Sequence, residues 1–296
     1  MNQDSELRNG YLVPEKMKRV WAVQLQLLKK LLDVCAKNNL RIWADSGTLL
    51  GAVREHGYIP WDDDIDMAMF REDYDKLVAL SSRAFESPFF FQTAYSENHY
   101  YPRGHAQLRM DGTAAILKGD IYQKFHQGIF IDIFPLDAVP SDSKEEEWQL
   151  KEKDRIMRKM RLVTYERYSF LHPRGSLYLL LRRIRMRFNG FKRVYESYEN
   201  LFRQYPIDKF EEISCTSFFA ADRMKKNKHW YDDTVYLPFE DILIPVPKCY
   251  HEILSKQYGD YLTPVQAPTY HGGFAVLDSE RSYLEYLPLL RRKALK

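Results

Sequence analysis

The run Trp61-Asp62-Asp63-Asp64-Ile65-Asp66 concentrates four carboxylates within five positions. On an extended strand side chains alternate between faces, so Asp64 and Asp66 would project together while Asp63 faces away. Carboxylates this close repel each other where water is scarce, and a divalent cation removes the repulsion. Mg²⁺ prefers carboxylate and phosphate oxygens, so the run predicts a Mg²⁺ site, with Mn²⁺ as the alternative metal and Asp62 as a candidate outer ligand.

Two other interpretations of the acidic run are weaker. A solvated acidic turn would not need the apolar residues Ile59, Trp61 and Ile65 around it. A calcium loop of the EF-hand type beginning at Asp62 would need Gly at position 67 and Glu at position 73, where the chain has Met67 and Asp73.

A third carboxylate, Asp132, lies inside the otherwise apolar run Ile129-Phe130-Ile131-Asp132-Ile133-Phe134. A buried lone carboxylate costs several kcal/mol unless it is paired or bound to a metal. We therefore expect the Asp132 strand to neighbour the Asp64 strand, so that the three acids face one metal centre. A salt bridge from Asp132 to a core arginine is the structural alternative.

Candidate phosphate-binding groups lie close to the acidic run in the sequence. Ser46-Gly47-Thr48 is predicted to join a strand to the start of a helix, where backbone N–H groups and hydroxyls can hold an anion. Gly47 would allow close approach of the backbone to phosphate, and Gly51 would allow the helix to pack tightly. Arg54 and Arg109 are candidates to clamp phosphate oxygens.

The elements that must position these residues alternate between helix and strand. Apolar spacing of 3.6 predicts a helix over 15–38, and strand-like or helical patterns follow it along the chain. The predicted strands are 40–44, 64–69, 89–92, 106–109, 114–117 and 128–134, and the other predicted helices are 48–55, 72–85, most of 144–205 with a break near 173–175, and 248–257. This alternation indicates an α/β fold rather than an all-α one.

Composition narrows the class of protein. The chain has 296 residues, 45% of them hydrophobic and 29% charged, which is typical of a folded globular protein. A formal net charge of +3 gives no reason to expect a nucleic-acid partner. Cys35, Cys215 and Cys249 form no CxxC pair, so we expect neither a zinc ribbon nor a disulfide framework, and a reducing cytoplasmic location fits. No secretory signal and no membrane-spanning run is evident, so the protein is expected to be soluble.

Charge is unevenly distributed along the chain. Residues 151–193 contain fourteen Lys or Arg and three acids. A solvated helical face is the simple interpretation of this basic segment. Because aliphatic residues are interleaved with the bases, the alternative is a peripheral surface for anionic lipid at the inner face of the membrane, or for an anionic glycan.

Three motifs together resemble the LicD family. They are Asp45 to Arg54 followed by Gly57 to Asp66, then Gly128 to Asp137, and finally Leu237-Pro238-Phe239-Glu240 with Pro247 and Tyr258-Gly259-Asp260-Tyr261. The resemblance covers about residues 25–262. Family members often carry Arg and His after the last motif, and here His271 is present without the Arg, which bears on the acceptor or head group rather than on the metal chemistry.

The resemblance implies a nucleotidyltransferase-like fold related to fukutin-related proteins, with a mixed sheet flanked by helices. We interpret 1–296 as one catalytic domain with a basic helical insertion at about 144–205 and a C-terminal cap at about 206–296. Carried over to this chain, Gly47 and Thr48 match the phosphate turn, Asp64 and Asp66 the metal-binding pair, and Asp132 the third acid.

The implied activity is Mg²⁺-dependent transfer of phosphocholine, or a related head group, from CDP-choline or another CMP-activated donor. The acceptor would be a hydroxyl of a surface glycan (lipopolysaccharide, capsule or teichoic acid) or of its lipid-linked precursor. Attachment of a nucleoside monophosphate uses the same acids and is the first rival. A D-x-D glycosyltransferase leaves the Gly47-Thr48 turn unexplained, and a glycan-binding protein with a relic site leaves the complete acid set unexplained.

Overall fold

The computed structural model describes residues 2–164, 181, 184, 190–215, 222–266 and 273–293. Within these ranges helices flank a mixed sheet, which confirms the predicted α/β class. The α-helices are α1 (Glu15–Lys37), α2 (Ser46–Arg54), α3 (Arg71–Ala84), α4 (Ser143–Thr164), α5 (Phe191–Arg203), α6 (Tyr250–Tyr258) and α7 (Tyr283–Lys293).

Thirteen strands are present in the described part of the chain. They are β1 (Glu6–Arg8), β2 (Tyr11–Val13), β3 (Trp43–Ala44), β4 (Asp66–Phe70), β5 (Phe89–Gln92), β6 (Ala106–Met110), β7 (Ala114–Leu117), β8 (Phe130–Ala138), β9 (Glu212–Cys215), β10 (Lys226–Asn227), β11 (Thr234–Phe239), β12 (Ile242–Pro247) and β13 (Phe274–Asp278).

The main sheet is organised around β8, whose nine residues are all buried. One edge of β8 pairs in parallel with β4, which continues to β3. The other edge is shared, because β6 pairs antiparallel with the first half of β8 and β9 with the second half. Since β8 is hydrogen-bonded on both edges and covered on both faces, a near-continuous apolar sequence is what such a strand needs.

Helix α1 supplies much of the core that supports the sheet. Its buried residues recur at helical spacing and include Trp21, Leu25, Leu28 and Leu31. The helix begins at Glu15, after Pro14, and ends at Lys37 before Asn38, so the predicted helix over 15–38 is confirmed to within one residue. It packs against β6 and β8, the strands on which candidate site residues lie.

Several element boundaries differ from the predictions. The strand predicted over 64–69 begins only at Asp66, and the one predicted over 128–134 runs from Phe130 to Ala138. Of the predicted helical stretch 144–205, helices α4 and α5 are present, while the predicted break near 173–175 lies outside the described residues. All three cysteines are free, as expected.

Among the described residues, no helix combines the length and apolar character that crossing a lipid bilayer demands. In the described part of the basic segment, ion pairs offset some of the charge: Lys151 lies 2.6 Å from Glu147, and Arg155 pairs with Glu152.

Candidate active site

The acidic centre forms where β4 and β8 run side by side. Asp66 and Asp132 are direct register partners across this parallel pair, and the Asp132 N–H donates to the Ile65 carbonyl at 2.8 Å. One carboxylate oxygen each of Asp64, Asp66 and Asp132 lies within 4.8 Å of the other two. The predicted adjacency of the two acid-bearing strands is therefore confirmed.

Asp64 reaches this centre from a loop rather than from a strand, because β4 starts two residues later. The same loop brings carboxylate oxygens of Asp62, Asp63 and Asp64 within 4.8 Å of one another. The expectation that Asp63 faces away is therefore wrong. Strict alternation holds only in extended strand backbone, and residues 62–64 lie outside it.

Helix α1 fixes the loop that carries these acids. The Trp21 indole N–H donates to the Asp62 carbonyl at 3.0 Å, and the buried Gln24 amide donates to the Asp63 carbonyl at 2.8 Å. Tyr58 stacks on Trp21 with ring centroids 4.4 Å apart. Both hydrogen bonds go to backbone oxygens and not to the carboxylates, so they fix the path of the loop backbone. Trp21 and Gln24 were not among the predicted site residues.

Ser46-Gly47-Thr48, the segment predicted to bind phosphate, forms the first residues of α2 shortly after β3. Ser46 begins α2 with a φ of 47°, and its hydroxyl accepts a hydrogen bond from Gln257 at 3.3 Å. A Cβ on Gly47 would lie 2.7 Å from an Asp62 carboxylate oxygen, so this glycine makes room for the Asp62 side chain. The Thr48 hydroxyl accepts from the Asp66 N–H at 2.8 Å, which ties the helix start to the acid strand.

A buried ion pair closes the base of this turn. Asp45, the residue before α2, pairs with Lys226 of β10, and each is at most 2% exposed. The Asp45 N–H also donates to the Asp66 carbonyl at 3.0 Å. The pair joins the start of α2 to the far edge of the sheet. It was not predictable from residue types because the partners are 181 positions apart.

The three acids of the centre differ in their electrostatics. Burial and the neighbouring charges of Asp64 and Asp132 raise the pKa of Asp66 well above its ordinary value. Burial also acts to raise the pKa of Asp132, but His105, together with Arg103 and Gln107, outweighs burial and lowers it. Asp132 is thus held as a carboxylate, while the surroundings of Asp66 favour its protonated form, a preference that a bound cation would reverse.

These residues fit a divalent cation. Oxygen ligands of Mg²⁺ sit about 2.1 Å from the ion, so neighbouring ligands in its octahedral shell are about 3 Å apart and opposite ones about 4 Å. Three carboxylate oxygens mutually within 4.8 Å need only a small inward shift to reach that geometry. Asp62, whose carboxylate is close to that of Asp64, remains a candidate outer ligand.

The two predicted phosphate clamps lie in different surroundings from those expected. Arg54 is the last residue of α2, at the opposite end from Gly47, and donates to Glu55 at 2.7 Å and to the Tyr261 carbonyl at 3.1 Å. Arg109 is 1% exposed and its guanidinium donates to Gln92, Gln107 and the Gly128 carbonyl. Arg109 can therefore act on a ligand through its neighbours rather than by contact, and direct phosphate binding by Arg54 stays a prediction.

Asp137, the second acid of the β8 motif, serves the fold. Arg71 at the start of α3 donates to both of its oxygens at 2.7 Å, and the pair is buried. The salt bridge to a core arginine, considered above for Asp132, is thus made by Asp137. The two acids are five positions apart, so their side chains leave opposite faces of β8.

Sequence reasoning missed several residues that surround the centre. His105 and Gln107 both hydrogen-bond Asp132, at 3.0 and 2.6 Å. Tyr258, at the end of α6, is 44% exposed as a whole residue, but its hydroxyl is enclosed. This burial of the hydroxyl, followed by the charges of Asp45 and Asp66, raises its pKa. The motif containing Tyr258 was noted, but it gave no indication of where α6 packs.

Known proteins are similar in sequence to the part of the chain that carries this site. The family model described as LicD/FKTN/FKRP, nucleotidyltransferase domain, matches residues 39–177. The lipopolysaccharide cholinephosphotransferase LicD of Haemophilus influenzae is 26% identical over 245 residues, which are 81% of this chain and 89% of that protein. An uncharacterized protein of Rickettsia prowazekii is 52% identical over 48 residues, 16% of this chain and 18% of that protein. The matched residues 39–177 include the turn at Gly47 and all three acids of the centre.

Proposed function

We propose that this chain, whose residues 39–177 match the LicD/FKTN/FKRP family model, is a LicD-type enzyme that transfers phosphocholine, or a closely related phospho-head group, from a CMP-activated donor such as CDP-choline to a glycan hydroxyl. The observation that carries the proposal is the convergence of Asp64, Asp66 and Asp132 beside the start of α2. Support also comes from the name of the Haemophilus influenzae relative, which aligns over most of both chains.

In this proposal Asp64, Asp66 and Asp132 would hold Mg²⁺ or Mn²⁺, with Asp62 as an outer ligand. The bound cation would neutralise charge on the donor's diphosphate, which is the main contribution of metals to such transfers. The backbone N–H groups at Ser46 and Gly47 lie at a helix start, where an anion is stabilised. Tyr258 offers an exposed aromatic surface beside the acids for the rest of the donor.

The reaction follows from these positions. The acceptor hydroxyl oxygen would form a bond to the phosphorus that bears choline, and the bond from that phosphorus to the CMP oxygen would break. CMP leaves, and the hydroxyl proton is released. Asp132 is better suited to remain a charged ligand than to act as a general base, because its pKa is lowered rather than raised. Positioning and charge neutralisation then account for most of the catalysis.

The test is an assay of the purified protein with CDP-choline, CDP-ethanolamine and a lipid-linked or free glycan acceptor, with and without Mg²⁺. We expect Mg²⁺-dependent release of CMP and a phosphocholine-bearing glycan. Release of pyrophosphate from CTP would instead identify a nucleotidyltransferase, and release of a nucleoside diphosphate from a nucleotide sugar would identify a glycosyltransferase. A protein that binds glycan but consumes no donor would identify a relic site.

A lipid-linked acceptor would place the protein against the inner face of the cytoplasmic membrane, and the basic segment 151–193 is the proposed contact. Six of its basic residues, between Lys151 and Arg161, lie on α4, whose exposed Trp148 is one turn before Lys151. We expect binding to vesicles containing anionic lipid that weakens as salt is raised, since such attraction is screened. Equal binding to neutral vesicles would argue against this contact.

A further inference from the structure

Asp132 belongs to a row of polar side chains that crosses four strands of the sheet. Its register partner on β4 is Asp66, its partner on β6 is Gln107, and the partner of Gln107 on β5 is Gln92. Gln92 and Gln107 are both fully buried. Buried amides in a sheet are costly unless every donor and acceptor is used, so their arrangement is strongly constrained.

The orientation of the Gln107 amide is decided by its neighbours. Its oxygen accepts from the Tyr101 hydroxyl at 2.9 Å and from the Arg109 guanidinium at 2.5 Å. Arginine can only donate, so the oxygen of Gln107 must face it. The amide nitrogen is then left to donate to the Asp132 Oδ1 atom, which it does at 2.6 Å.

Arg109 fixes both amides of the row at once. Besides Gln107, its guanidinium donates to the Gln92 oxygen and, at 2.7 Å, to the Gly128 carbonyl. Gln92 in turn donates to Glu97 at 2.5 Å. The guanidinium hydrogen bonds therefore end on neutral oxygens, and burial lowers the pKa of Arg109 to about 10. Such a chain of bonds has one consistent direction, from Arg109 through Gln107 to Asp132.

The two carboxylate oxygens of Asp132 therefore differ in their hydrogen-bond partners. Oδ1 accepts from Gln107 and, at 3.0 Å, from His105, which uses both of its lone pairs. Oδ2 is the oxygen that neither of these two donors contacts.

We propose that Gln107 is a positioning residue, which, with its amide held by Arg109 and Tyr101, fixes the rotamer of Asp132 so that Oδ2 faces a divalent cation. The inference rests on the proposed metal-dependent function for its biological meaning. Hydrogen-bonding partners of metal ligands typically change metal affinity about 10- to 100-fold when removed.

The test measures binding of Mn²⁺ alone by electron paramagnetic resonance titration, and therefore needs no knowledge of the donor. The variant is Gln107→Leu, and the matched control is Gln149→Leu, since Gln149 is equally buried but lies on α4. We expect Gln107→Leu to weaken Mn²⁺ binding about 10-fold or more. The control should bind within about twofold of the wild type, even though it loses a buried hydrogen bond to the Leu201 carbonyl.

A Gln107→Leu protein that folds and binds Mn²⁺ like the wild type would overturn the proposal. If that variant does not fold, Tyr101→Phe decides, because it keeps the ring and removes only one donor to Gln107. A loss of about threefold or more in Mn²⁺ affinity supports the positioning role of Gln107, and unchanged affinity overturns it. A wild-type protein that binds Mn²⁺ but uses no CMP-activated donor would refute the proposed function and leave this inference standing, whereas one that binds no Mn²⁺ would refute both.

Discussion

Asp66 and Asp132, 66 positions apart in the chain, are direct register partners on the parallel strands β4 and β8. Side chains alternate between the two faces of a strand, so a shift of one residue in the register of either strand would turn one of the two carboxylates to the opposite face. The register therefore decides whether the chain has a three-acid centre.

The acid centre predicts a cation-dependent gain in stability. Without a cation, Asp64, Asp66 and Asp132 repel one another, and a cation that binds only the folded chain adds stability by mass action. We expect Mg²⁺ or Mn²⁺ at 100 times its Kd to stabilise the protein by about 3 kcal/mol, seen as a rise in Tm in a thermal-shift assay. Asp66→Asn should abolish the rise, while Asp33→Asn, at an exposed position of α1, should keep it. An unchanged Tm in the wild type would contradict the metal site.

Gly47 should be needed for activity rather than for folding. In Gly47→Ala the new Cβ would meet the Asp62 carboxylate oxygen at 2.7 Å, so that side chain must move. We expect transferase kcat to fall about 10-fold or more, because small misplacements of this kind are costly in a positioned site, with Tm nearly unchanged. Gly119→Ala, where nothing lies within 4 Å of the added carbon, is the control. Equal activity of the two variants would refute a role for the space beside Gly47.

Asp132 and Asp137 should separate function from stability within one strand. Asp137→Asn breaks the buried pair with Arg71, and such losses typically cost about 3–5 kcal/mol in the free energy of unfolding. Asp132→Asn removes repulsion from Asp66 but also a charge that His105, Arg103 and Gln107 stabilise, so its unfolding free energy should fall less than that of Asp137→Asn while activity is lost. Urea denaturation and CMP release, measured on both variants, give the comparison. If Asp137→Asn lost activity but kept its stability while Asp132→Asn lost stability but kept its activity, the roles assigned to the two residues would be wrong.

His126 predicts an acid-sensitive stability. Burial, followed by the charge of Arg109, lowers the pKa of His126 to about 4. The unfolded imidazole takes up a proton below its ordinary pKa of about 6.5, whereas the folded one does so only near pH 4. Stability should therefore fall as the pH falls through this interval, by about 3 kcal/mol from this residue.

The measurement is the difference in unfolding free energy between the wild type and His126→Gln from pH 7 to pH 4. The difference should move in favour of the variant as the pH falls. His229→Gln, at an exposed position, is the matched control for replacing a histidine by glutamine at the surface. A difference that is constant with pH would show that His126 does not stay neutral.

The acids were predictable from the sequence because their chemistry is visible in residue type. Asp64, Asp66 and Asp132 stand among apolar residues, and that combination is unfavourable without a cation. Trp21, Gln24 and Gln107 were not predictable in the same way. Each acts through one hydrogen bond to a residue 25 or more positions away, and neutral polar side chains reveal no such partner.

The surroundings of Arg109 could not be predicted from the sequence either. Its charge made it a candidate for phosphate binding, but β6 pairs with β8 so that Arg109 lies opposite Phe130 and beside Gln107. The guanidinium packs 4.7 Å from the Phe130 ring centroid. Whether an arginine on a strand reaches a ligand or a core depends on register, which the periodicity of a single strand does not determine.

The hydrogen bonds from α1 to the loop that carries Asp62 to Asp64 affect which fragments of the protein would be useful in experiments. Trp21 and Gln24, which bind the Asp62 and Asp63 carbonyls, precede the family-matched stretch 39–177, and Lys226, which pairs with Asp45, follows it. A fragment cut at the matched limits would keep Asp62, Asp64, Asp66 and Asp132 but lose Trp21, Gln24 and Lys226, which hold the backbone around them. Such a fragment would be a poor substitute for the full chain in ligand screening, because the hydrogen bonds and the ion pair that position its acids would be missing.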